Sequence, residues 1–277
     1  MFDKTLYFLE KGGTLKNGIS NNWKNLRVNL PTGYYGSSGY YIRRAQEGEV
    51  PSVRRIPGID AIDEAIGRAV EMGRPVFCSH GIANLRAATT GPQTLAGLSV
   101  LSYVAKQSIE VGADLYVPVR QPEVWPVAAD ILETEFKLAG RGSEFDPDKV
   151  PFLSNNQFGF SSNYMGMMMR ERPGANIMVG AFWAESLQLA ETGARIGAMQ
   201  ITGTANTAQI PFFLVVSDYC LIGEEIYSAG AYLTNDAPLI ASLAGQDIGR
   251  IIAVILGLLG AITVTLGSNI LLNLYGM

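Results

Sequence analysis

From residue 251 to residue 277 the chain carries no charged side chain: IIAVILGLLGAITVTLGSNILLNLYGM. No other stretch restricts the fold as strongly. A helix crossing a bilayer core takes about 20 apolar residues, each rising about 1.5 Å, and residues 251–272 supply that length. Buried core helices of soluble proteins are usually amphipathic, whereas this run is apolar on every face. One transmembrane helix is therefore expected at 250–272, with membrane lipid as a partner. Arg250 stands before the run and no Lys or Arg follows it. The positive-inside bias then puts the large domain on the cytoplasmic face of the cell membrane. The start, MFDKTLYFLE, has charges on both sides of a short apolar stretch and is not a signal peptide, so the span reads as a single-pass tail anchor.

Within the span, Gly249, Ala253, Gly257, Ala261 and Thr265 recur every four residues and fall along one side of a helix. Small side chains in that register let two membrane helices approach closely, where no hydrophobic force separates helix from lipid. A homo-oligomer is expected from it.

Composition fits a soluble domain joined to a membrane segment. The 48% hydrophobic content is high for a wholly soluble chain, and 17% charged residues is too many for a multi-span protein. A net charge of −4 offers phosphate backbones no attraction, so no nucleic-acid partner is expected. One histidine and two cysteines cannot build a zinc cluster. Neither a metal nor a cofactor is expected.

Residues 1–57 form an extended N-terminal arm in this reading. Turn formers interrupt every period there, and Tyr34, Tyr35, Tyr40 and Tyr41 suit contact with a neighbouring subunit. Residues 58–245 alternate instead. Apolar periodicity predicts helices at 59–72, 94–111, 122–139, 158–170, 183–192 and 219–233. Short apolar runs predict strands at 75–79, 115–119, 151–153, 176–180, 198–202 and 212–216. Strands that are apolar without alternation belong to sheets covered on both faces, so the fold class is α/β: a layered, mainly parallel sheet flanked by helices. The link from 202 to 212 is too short for an ordinary helical crossover, and an antiparallel pair or a single turn is expected there.

In open α/β sheets ligands collect at the carboxyl ends of strands. The expected rim is Ser79, His80, Gly81, Arg120, Gln121, the run from Thr202, Gly203 and Thr204 to Asn206, and Ser217 with Asp218. His80 is the one side chain whose ordinary pKa suits acid–base work near neutrality. The Thr202–Gly203–Thr204 stretch is a candidate anion cradle, although neither G-x-G-x-x-G nor G-x-x-x-x-G-K-[ST] occurs.

Four stretches, VPSVRRIPGIDAIDEAIGRAVEMGRPV (50–76), QTLAGLSVLSYVAK (93–106), MRERPGANIMVGAFWAESLQLAETGA (169–194) and QIPFFLVVSDYCLIGEEIYSAGAYL (209–233), are together similar to an uncharacterised bacterial and archaeal domain family of unknown function. The resemblance covers 50–235. It implies membrane association and assigns no catalytic residue.

The function expected is that of a structural or assembly protein, an α/β scaffold that self-associates at the cytoplasmic membrane face. The alternative is a membrane-tethered enzyme or small-ligand-binding domain using the rim around His80 and Thr202.

Overall fold

The computed structural model describes residues 56–234 and 237–265. All of the expected arm at 1–57 except its last two residues lies outside them. Of the described residues, those within 56–243 belong to one compact unit and 244–265 to another.

Helix α1 (Pro57–Glu71) opens on a proline, whose fixed φ suits a first helical turn and whose missing N–H would have no partner there anyway. Strand β1 (Val76–Gly81) follows. Helix α2 (Gly91–Val111) ends at Gly112 in the left-handed conformation, and β2 (Leu115–Tyr116) is short. Helices α3 (Trp125–Leu138) and α4 (Gln157–Glu171) come next. Asn156 caps α4 by accepting from the N–H groups of Phe158 and Gly159, satisfying two of the donors a helix start leaves over. Strand β3 (Ala175–Ala181), α5 (Glu185–Ile196), β4 (Met199–Thr204), α6 (Ile210–Val216), β5 (Tyr219–Ile222) and α7 (Glu225–Thr234) complete the series.

The five strands form one parallel sheet in the order β2-β1-β3-β4-β5. Side-chain alternation sends Val76, Cys78, Ile177 and Ile201 into a core with α1, α2, α3 and α7. Phe77 and Met178 enter a second core with α4, α5 and α6. The α/β class, the parallel sheet and the flanking helices expected from sequence are all present. The chain leaves β1 for β2 on one side and returns past it to β3, so the winding direction reverses between β1 and β3.

Several local expectations are corrected. Residues 212–216 are helical, inside α6, and the true fifth strand is β5, within the stretch 219–233 where the apolar pattern predicts a helix. A short apolar run looks alike in a strand and in a buried helix. Pro211 stands in the first turn of α6, and Gly223, at φ +61°, breaks the chain between β5 and α7. The β4–β5 pair is parallel, with α6 as its crossover. The strand expected at 151–153 is a single parallel bridge, Val119 to Phe152.

The last helix, α8 (Ala237–Thr265), exposes Ile251, Ile252, Val254, Ile255, Leu258, Leu259 and Ile262. Among the described residues no helix is long and apolar enough to cross a membrane. The end of the expected span, 266–272, lies outside them.

Candidate functional site

Where winding reverses, the loops leaving adjacent strands part to opposite faces and a crevice opens at the carboxyl ends. A cleft of about 290 Å³ lies there. Thr89, Thr90 and Gln93 line it from the β1–α2 connection, and Ala181, Phe182 and Trp183 from the end of β3. Ala205, Asn206 and Thr207 close it after β4. No lining side chain is titratable.

Internal hydrogen bonds hold these loops. Asn206 donates from Nδ2 to the Phe182 carbonyl at 3.0 Å and accepts at Oδ1 from the Ala208 N–H at 3.2 Å. Its own N–H donates to Thr204 Oγ1. Gln93 Oε1 accepts from the Ala205 N–H at 3.3 Å and from Thr204 Oγ1 at 3.5 Å. Three connections far apart in sequence are thereby tied into one wall.

The start of α2, at the edge of the cleft, is already occupied. At α2, the Gly91 N–H donates to the Ala87 carbonyl, and those of Gln93 and Thr94 donate to the Thr90 carbonyl. Pro92 has none to offer. At α5, the buried Glu185 accepts from the Trp183 N–H at 2.8 Å and from Gln157 Nε2 at 2.5 Å. Helix starts bind anions through free N–H groups, so the α2 start has little to hold one, and the Glu185 carboxylate stands at the α5 start.

The expected rim residues are dispersed. Ser79 and His80 are buried inside β1. His80 is 1% exposed, both ring nitrogens lack a hydrogen-bond partner among the described residues, and burial pushes its pKa down to about 4. It has no surface on which to meet a substrate. Thr202, Gly203 and Thr204 lie within β4 rather than on a turn, all buried. Thr202 Oγ1 lies 2.8 Å from Ser217 Oγ. Ser217 and Asp218 lead into β5 at its amino end, where Asp218 Oδ2 accepts from the Gln200 N–H at 2.7 Å. The sequence pattern puts them at a carboxyl end because it predicts a strand over 212–216. Arg120 and Gln121 do reach the end of β1, both donating to the Ile82 carbonyl.

Of the rim, then, only the stretch after Thr204 borders the cleft. Gln93, Trp183 and Thr207 were missed. Gln93 carried no local signal, since it reaches the cleft only through tertiary packing; Trp183 and Thr207 follow strand ends closely enough to have been found. Among the described residues, no cluster of His, Cys, Asp or Glu could hold a metal ion.

A family model described as "Domain of unknown function (DUF6754)" matches residues 28–275. The chain belongs to this family. The match takes in the four stretches that carried the resemblance and extends beyond them in both directions. No curated protein and no solved structure matches the chain. Membership of DUF6754 assigns no activity, so functional argument rests on the residues themselves.

Proposed function

We propose that this protein is a membrane-anchored α/β scaffold that self-associates at the cytoplasmic face, with α8 and the chain after it as the single-pass anchor. The row of exposed apolar side chains on α8, from Ile251 to Ile262, carries the reading. Contiguous apolar surface of that kind is costly in water and marks contact with lipid or protein. Gly249, Ala253, Gly257, Ala261 and Thr265 supply the side on which two such helices approach. A Cβ built on Gly257 meets no atom within 4 Å, so a larger residue there leaves the chain's own packing alone.

The size of the particle in mild detergent tests this. The parent chain is expected as an oligomer, and Gly257→Ile is expected to shift it toward monomer. A parent that is monomeric in mild detergent contradicts the assembly reading.

A second reading, a tethered small-ligand-binding domain, is favoured by one observation: the cleft stands where the winding of the sheet reverses. It does not use His80 as a base. Thermal shift of the full chain against a metabolite panel tests it, with stabilisation by at least one compound expected and a flat response across the panel contradicting it.

A further inference from the structure

Gln93 is 7% exposed. The atom facing the Ala205 N–H must be its oxygen, because a backbone N–H can only donate. That fixes the amide and turns Nε2 away from Thr204 and Ala205. Nε2 donates to no acceptor among the described residues, yet it is not one of the atoms sealed from solvent without a partner. A fixed, largely buried donor left open at the wall of a cleft is a polar group waiting for a ligand oxygen, since buried donors are otherwise paired.

The remaining lining defines the chemistry. The hydroxyls of Thr89, Thr90 and Thr207 make no hydrogen bond within the described residues, and each both donates and accepts. Trp183, 36% exposed, adds indole surface beside Phe182. No charged side chain lines the cleft, and the α2 amides are spent within the chain. An anion would give up its hydration for no counter-charge. A molecule carrying several neutral hydroxyls would find a partner for each and an apolar surface for its carbon skeleton.

We infer that the cleft binds a small uncharged polyol, such as a sugar, with one of its oxygens accepting from Gln93 Nε2. This rests on the ligand-binding reading above and names its ligand class.

Saturation-transfer NMR on the full chain, in a detergent without a sugar headgroup, tests it with D-glucose, D-galactose, myo-inositol and glycerol as neutral probes. Glucose 6-phosphate and inorganic phosphate are the charged ones. Gln93→Glu keeps the oxygen that Ala205 needs and replaces the donor with an acceptor. Thr207→Val removes one exposed hydroxyl without touching the wall. At least one neutral probe is expected to give a saturable signal, weakened about tenfold by Gln93→Glu and less by Thr207→Val, the scale of one hydrogen bond. Binding of only the charged probes, if Thr207→Val weakens it, overturns the polyol assignment and leaves a ligand site standing. A polyol signal unchanged in both variants, or no neutral signal together with no charged signal that depends on Thr207, overturns the inference outright.

Discussion

The Tyr164 hydroxyl donates to Asn176 Oδ1 at 2.9 Å, both residues fully buried. Burial raises the phenol well above its usual range, so the proton stays in place to be donated. Asn176 Nδ2 in turn donates to Gln200 Oε1 at 3.2 Å, and Gln200 Nε2 donates to the carbonyls of Ala190 and Val216. The chain of bonds ties α4, β3, β4, α5 and α6 together under one face of the sheet. Tyr164→Phe leaves the Asn176 oxygen buried and unpaired, at a cost of about 1–3 kcal/mol. Urea denaturation at neutral pH is expected to show that loss, and a change within error would mean the bond is dispensable.

Gly97 sets how closely α2 lies on the sheet. A Cβ there would stand 2.3 Å from the Val179 carbonyl oxygen and 2.9 Å from the His80 Cα. Both neighbours are backbone and cannot rotate away. Gly97→Ala is expected to destabilise the domain by more than about 3 kcal/mol, at or beyond the upper range for overpacking, whereas Gly67→Ala, with nothing within 4 Å, should be neutral or slightly stabilising in its helix. Thermal denaturation of the two variants side by side separates the outcomes.

His80 stands at a shift of register between β1 and β3, and burial lowers its pKa from 6.5 to about 4. Between those values the unfolded chain binds a proton that the folded chain does not. Stability is therefore full above about pH 6.5 and falls as pH drops toward 4. From pH 7 to pH 5 the loss attributable to this one group is about 2 kcal/mol. Denaturant titrations of the parent and of His80→Phe at the two pH values read it as the difference between slopes. Equal slopes would contradict the burial account.

Much of the layered fold was legible because its strands are uninterrupted apolar runs, and β1, β3 and β4 fell within a residue or two of their expected places. The edge of the sheet was not. IPFFLVV satisfies a strand and a helix equally, and Pro211 decided for the helix through the first turn of α6. That single misassignment moved Ser217 and Asp218 to the wrong end of the sheet. Gln93 was illegible for another reason: it meets Thr204 across 111 residues of chain, a contact no local pattern encodes. His80 was conspicuous as the one histidine, but the apolar pattern stops at Ser79, and nothing local shows that β1 runs on through His80 to Gly81.

The two thiols should differ from ordinary cysteines. Burial pushes Cys78 up to about 12 and also raises the half-buried Cys220. The thiolate is the reactive form, so neither should react appreciably with a disulfide reagent at pH 8 in the folded chain, and both should do so in denaturant. Rapid labelling of the folded protein would show the sheet to be open at β1 or β5.

The anchor is tested most directly by floating the full-length chain with phospholipid vesicles on a density gradient. The account predicts that the protein rises with the lipid and stays there through high-salt and alkaline washes. Recovery of the full-length chain in the lipid-free supernatant after ultracentrifugation, with no detergent present, would contradict it.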